Sequence, residues 1–361
     1  MKSKIVISVV FLAILLLLLA EMISRVAYRI YCRLPFRDRR IAEYPYGRFL
    51  VQVPAPVHCV MKKGFRSGKI NINRFGLRGA EPADNGLKRR ILVVGESNFF
   101  GAKLLDERHI WADVLESVLE RNGHADWEVL NGGTPLYASA QHWHFWADAL
   151  GDVKPEILVV CMGGNDVAQM TVLGERWTPE AHWPYEFLLK LERKSAWWNS
   201  FLSRFCLYFF YRRIFEGPPA ARFAKGEGEM QWEACRRNIL AQYRNFAAYA
   251  GTNAIKILFA TSPTAYHMPT SKDNERRLWA IQSTYRDSIT RDRPYFTDLN
   301  KAVSQDLCRE LGIPYWDLQA DFASHPNHFS AWYDMLHWNE IGMGIVARSL
   351  YDFIDRHGWW S

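Results

Sequence analysis

The chain opens on an apolar run, residues 5–20, interrupted only by Ser8 and preceded by Lys2 and Lys4. Beyond Glu21, the residues Met22, Ile23, Val26, Ala27 and Ile30 continue with helical spacing. At 1.5 Å per residue the run covers roughly 24 Å, a little short of a bilayer core unless the next turn joins it. A cleaved leader wants small residues just before the cut, and Leu18 ahead of Ala20 fits that poorly. Residues 1–34 are therefore expected to form an uncleaved membrane anchor helix. A polar stretch punctuated by Pro35, Pro45, Pro54 and Pro56 follows, and then residues 69–79, whose alternation and two glycines predict a short strand and a turn. Residues 35–90 thus read as a lead-in segment with short strands.

From residue 91 a strand–helix rhythm sets in. Residues 91–94 are continuously apolar and end at Gly95, and 109–119 have helical periodicity. Residues 127–130 form a second strand ending at Asn131-Gly132-Gly133, and 139–150 a second helix. A third strand, 157–162, ends at Gly163-Gly164-Asn165-Asp166. Residues 167–230 break the rhythm and are dense in aromatics. It resumes with a helix at 231–250, a fourth strand at 255–260, a helical stretch at 273–311, a fifth strand at 313–316 and a last helix at 339–354. Apolar strands alternating with helices imply an α/β domain over 91–361, with a parallel sheet covered on both faces. Ligands gather at the carboxyl ends of such strands, and the turns at 95–97, 131–133 and 163–166 all fall there.

The net charge of +7 looks like a nucleic-acid signal until it is located. Residues 1–40 hold Lys2, Lys4, Arg25, Arg29, Arg33, Arg37, Arg39 and Arg40 against Glu21 and Asp38, a local +6 that leaves +1 for the remainder. The basicity belongs to a membrane flank, and no nucleic-acid partner is expected. Arg25, Arg29 and Arg33 would form one cationic stripe suited to lipid headgroups. Six cysteines are scattered without a C-x-x-C pair, fitting neither a disulfide scaffold nor a zinc site. His142-Trp143-His144 has no further ligands at metal spacing, so no cofactor or metal is expected, and both histidines read as surface or satisfied core residues.

Three places carry candidate chemistry. Ser97 follows a buried strand through Gly95-Glu96, either as a nucleophile on a strand-to-helix turn or as a helix cap. Asn165 offers a neutral amide N–H to a developing oxyanion, or makes an ordinary Asx turn. An Asp three residues before a His, Asp334 and His337, can hold the ring's Nδ1–H and leave Nε2 to take a serine proton; alternatively both are surface polar residues.

Taken together, Val94-Gly-Glu-Ser97, Asn131-Gly132-Gly133, Gly163-Gly-Asn165-Asp166 and Asp334-Met-Leu-His337 resemble, in this order, the sequence blocks of the SGNH/GDSL hydrolase superfamily. The upstream Asn73-Arg-Phe-Gly-Leu-Arg-Gly79 is similar to a lead-in of its bacterial, membrane-anchored members. The resemblance spans roughly residues 71–355 and implies a flavodoxin-like, three-layer α/β/α fold with a five-stranded parallel sheet. It implies Ser97 as nucleophile, His337 as base then acid, and Asp334 as its orienting carboxylate. An oxyanion hole would be built from the Ser97 N–H, the Asn165 side chain and a backbone N–H of the second block. Two positions depart from the pattern. Glu96 stands where the family name implies Asp, which is expected to change little because that side chain is not a reactant. Leu136 falls where the second block carries glycine, so its N–H serves only if the backbone avoids φ > 0, and Gly133 is the alternative donor.

The function expected from the resemblance and the anchor is an esterase removing O-acyl groups, O-acetyl among them, from a cell-envelope glycan. The alternatives are an O-acyltransferase using the same serine and a non-catalytic glycan-binding accessory subunit. The expected partners are the lipid bilayer, the acylated glycan and a membrane-bound acyltransferase. The positive-inside rule would put the domain in the cytoplasm. The resemblance implies the opposite side, and an extracytoplasmic (periplasmic) domain on the inner membrane is the expectation carried forward. The aromatic-rich part of the insertion, residues 195–215, reads as an interfacial helix, a lid or a helix packed on the domain.

Overall fold

The computed structural model describes residues 2–32, 49–67, 70–83, 87–102, 104, 106–174, 177–179, 227–265, 286–326, 328–332 and 336–360. The aromatic-rich stretch 195–215 and Asp334 lie outside these residues.

Helix α1 runs Lys2–Cys32 without a break. Within it Ile7–Ala27 is long and apolar enough to cross a membrane, at 21 residues or roughly 30 Å. The turn that the apolar run needed does join it. Glu21, the acidic residue of that span, accepts from Arg25 Nε at 2.7 Å one turn on, which offsets part of the cost of a charge there.

The paired strands of the lead-in lie outside residues 69–79, where the alternation pointed. Strand β1 (Leu50–Gln52) pairs antiparallel with β2 (Cys59–Met61). Three-residue strands are too short to express a period of two, so the pattern along the chain does not reveal them.

The body is a five-stranded parallel sheet of β3 (Arg89–Gly95), β4 (Trp127–Gly133), β5 (Ile157–Cys161), β6 (Lys256–Ala260) and β7 (Tyr315–Trp316). Their spatial order is β4-β3-β5-β6-β7. This is the flavodoxin-like order: the chain steps outward to β4, then returns past β3 to β5, placing a topological switch point between β3 and β5. Alternate residues sort to opposite faces. Ile91, Val93, Ile157, Val159 and Leu258 pack under α3 (Trp111–Arg121) and α10 (Glu340–Arg356). Leu92, Val94, Leu158, Val160 and Phe259 pack under α4 (Ser139–Val153) and α6 (Glu227–Thr252). Both faces are dry, which is why these strands read as unbroken apolar runs.

The other α-helices among the described residues are α2 (Ser97–Phe100), α5 (Gly164–Leu173), α7 (Arg286–Lys301), α8 (Cys308–Leu311) and α9 (Leu318–Ser324). A six-residue π-helical stretch, Ala302–Leu307, joins α7 to α8. Helix α9 was not anticipated; its start is capped by Asp317, whose carboxylate accepts from Ala320 N at 3.0 Å.

Candidate active site

Ser97 follows β3 after one residue, Glu96, as the first residue of α2, a single helical turn. It is not the cap. Glu96 occupies that position in extended backbone, and the Ser97 hydroxyl lies 3.0 Å from His337 Nε2 instead. Residues 240 positions apart are thus brought into one hydrogen bond at the carboxyl edge of the sheet. The residues beside them hold the pair. Phe99 meets Trp338 edge-to-face at 5.0 Å, both rings wholly buried. Trp338 and Trp332 bridge across the loop, and Asn339 opens α10 by accepting from Ile341 N at 2.9 Å and donating to Ser330 C=O at 2.6 Å. Gly95 and Gly342 lack side chains for steric reasons. A Cβ on the first would meet the Phe99 ring at 2.6 Å, and one on the second the Ala331 carbonyl at 2.5 Å.

Asn165 sits across the switch point, in the first turn of α5. Its Nδ2 donates to Tyr137 C=O at 3.0 Å, which uses one of its two N–H bonds. Glu96, discounted in the sequence because it is no reactant, organises this corner. Its Oε1 accepts from the Gly163 and Asn165 backbone N–H groups, each at 2.9 Å. Burial pushes its carboxyl up to about 8, against the pull of the Asn165, Gly163 and Gly164 N–H groups. The positive end of α5 is thereby filled by the protein's own side chain. Among the donors at this corner, the Asn165 amide keeps one side-chain N–H with no acceptor among the described residues.

Those donors can be separated. Among the described residues nothing accepts the Ser97 N–H or the Leu136 N–H. The Gly133 N–H, by contrast, donates to Asn131 Oδ1 at 3.0 Å, so Gly133 is not available as the alternative donor expected from the sequence. Its role is steric. A Cβ at Gly133 would stand 2.2 Å from Phe100 N and 2.6 Å from Phe99 C, both in the backbone of the Ser97 turn. Gly133→Ala is therefore expected to destabilise the fold by about 1–3 kcal/mol, read as a lowered thermal midpoint. An unshifted midpoint would show that the turn has room to spare.

Leu136 takes φ +74°, in the left-handed region. The condition set from the sequence, that its N–H serves only where φ avoids positive values, is not met, and whether this N–H is free turns on its partners instead of on φ. The cost of the conformation, about 1–2 kcal/mol, is offset by packing: its side chain joins a buried cluster of Phe49, Leu50, Met61, Ile70, Ile72 and Phe100. Leucine keeps here the backbone shape that glycine would give, and its N–H stays free.

Asp166 caps the start of α4, accepting from Ser139 N at 2.8 Å and Ser139 Oγ at 2.7 Å. Burial raises its carboxyl to about 6 against those bonds. His142 departs from expectation. It is a core residue but, among the described residues, not a satisfied one: it is wholly buried edge-on to Tyr137, neither ring nitrogen has a hydrogen-bond partner there, and burial pushes it down to about 3. His144, two residues on, is exposed. Among the described residues no cluster of three metal-ligating side chains occurs.

No protein-family model and no curated protein sequence matches this chain. Solved structures similar to it include a lipase/acylhydrolase from Enterococcus faecalis, at 14% identity and TM-score 0.43, covering 74% of this chain and 96% of that one. A GDSL-like lipase from Bacteroides thetaiotaomicron is similar at 13% identity and TM-score 0.40, covering 77% and 93%. An acetyl xylan esterase from Geobacillus stearothermophilus is similar at 15% identity and TM-score 0.41, covering 74% and 94%.

Proposed function

We propose that the chain is a membrane-anchored serine hydrolase of the SGNH/GDSL type that removes O-acyl groups from a glycan. The observation that carries the reading is the 3.0 Å contact between Ser97 Oγ and His337 Nε2 at the switch point of a parallel sheet. With neutral imidazole, the Ser97 O–H donates to Nε2. As Oγ attacks an acyl carbonyl, the proton passes to the ring, and His337 then returns it to the leaving alcohol. Water, activated by the same nitrogen, releases the acid from the acyl-enzyme. Asp334, three residues before His337, is assigned to orient the imidazole. The Ser97 N–H, the Asn165 amide and the Leu136 N–H are assigned to the tetrahedral oxyanion.

The anchor and its cationic flank are read as holding the domain at the outer face of the bacterial inner membrane. There the substrate is an acylated envelope glycan and a membrane-bound acyltransferase is a natural neighbour. The test is acetate release from an O-acetylated polysaccharide by the full-length chain in detergent, with Ser97→Ala as control. Release that requires Ser97 is the expected result. Release equal in both proteins overturns it, and acetyl recovered on an added sugar acceptor instead of as acetate assigns the serine to transfer. Sidedness is read separately, by protease access to the C-terminus in intact spheroplasts.

A further inference from the structure

Helix α2 has four residues, too few to hold its own shape, since nucleating a helix costs more than one turn returns. The position of Ser97 Oγ therefore depends on what pins this turn from outside. Its carbonyls account for the pins. Ser97 C=O accepts from Ala102 N at 2.8 Å, and Asn98 C=O from Gly101 N at 3.0 Å. Phe99 C=O accepts from the indole Nε1 of Trp111 at 2.7 Å. The end of the turn is held by a residue from the lead-in. Arg78 Nη1 donates to Phe100 C=O and Gly101 C=O, each at 3.0 Å, and Nη2 to Leu104 C=O at 2.8 Å. Arg78 is only 1% exposed, and its Nε lies 3.2 Å from both oxygens of Glu107. Its backbone is fixed as well, bridging to Ile72 on one side and to Asn131 of β4 on the other. The same segment reaches the second turn of the site, where Gln141 Nε2 donates to Val57 C=O at 3.3 Å and the Tyr137 hydroxyl to Cys59 C=O.

We propose that Arg78 is a positioning residue for the Ser97 nucleophile, making residues 49–83 a working part of the active site instead of a spacer between anchor and domain. The inference rests on the serine-hydrolase reading above. A planar guanidinium can satisfy three carbonyls and a carboxylate at once, where an ammonium, a single point of charge, cannot. Without the fork the Phe100, Gly101 and Leu104 carbonyls lose three charge-assisted bonds, the turn relaxes, and Ser97 Oγ drifts from His337. A misplacement of about 1 Å is enough to cost roughly 100-fold in rate.

The test is single-turnover labelling of the full-length chain in detergent by a fluorophosphonate, resolved into maximal rate and half-saturating concentration. Arg78→Lys is expected to lower the maximal rate by about 10- to 100-fold with half-saturation nearly unchanged, in protein whose circular dichroism is that of wild type. Trp111→Phe, which removes the indole pin on Phe99 C=O but keeps an aromatic ring, is expected to lower the same rate. It decides the matter where Arg78→Lys does not fold. A folded Arg78→Lys protein labelling within twofold of wild type overturns the role of Arg78 alone. With Arg78→Lys unfolded, an unchanged rate in Trp111→Phe does the same. A wild type that does not label at all overturns both this inference and the hydrolase reading.

Discussion

Ser97→Ala is expected to remove ester turnover by roughly 10⁴- to 10⁶-fold and to abolish fluorophosphonate labelling. The magnitude follows from the contact on which the site is built. Ser97 Oγ is 3.0 Å from His337 Nε2, so removing the hydroxyl removes both the nucleophile and the proton that the ring would take. His337→Ala is expected to cost about as much, because members of such a relay act as a unit and their losses do not add. Asp334→Asn is expected to leave more activity than either, since a misoriented imidazole is still an imidazole. The Ser97→Ala protein is expected to fold normally, its hydroxyl being no helix cap. Steady-state ester hydrolysis with a melting curve for each variant checks all of this. Wild-type turnover in folded Ser97→Ala would end the assignment.

The second large effect is expected at Asn165. Asn165→Ala should lower kcat by about 10²- to 10³-fold with little change in KM, the signature of a donor used most strongly in the transition state. The amide is well placed for selective loss. Its backbone N–H is held by Glu96 at 2.9 Å and one side-chain N–H by the Tyr137 carbonyl at 3.0 Å. Substitution therefore leaves the backbone of the turn anchored through Glu96. Asn165→Asp should be at least as damaging, because it replaces a donor with an acceptor and sets negative charge beside the oxyanion. Labelling should slow in both variants without disappearing, which separates a stabiliser of charge from the nucleophile itself. A kcat unchanged in either variant would move the oxyanion to the backbone donors Ser97 N–H and Leu136 N–H.

The departures from the sequence reading share a cause. Gly133 was the alternative donor because Leu136 stands where the second block carries glycine. In the fold Gly133 packs closely on Phe99 and Phe100, and the free N–H belongs to Leu136. Glu96 was set aside as a bystander, yet it links the turn after β3 to the turn after β5. A carboxylate directly after a buried strand, beside a candidate nucleophile, was the available signal. Arg78 carried only its place in the lead-in resemblance, with no role attached, because a basic residue in a polar lead-in looks solvated until the carbonyls of a turn 22 residues away close around it.

The sequence by itself determined the sheet, its parallel sense and the residues at its carboxyl edge. Strand burial on both faces and helix periodicity are local properties, written into consecutive residues and readable without a partner. The long apolar helix at residues 2–32 is legible for the same reason. What only the tertiary structure decided is which polar groups are already spoken for. Whether an N–H is free, whether a glycine serves flexibility or clearance, and whether an arginine is solvated or buried depend on neighbours tens to hundreds of residues away. Hydrogen bonds are short-ranged and saturable, so the chemistry of this site is fixed by which partners the fold brings within about 3 Å, and periodicity carries no record of that.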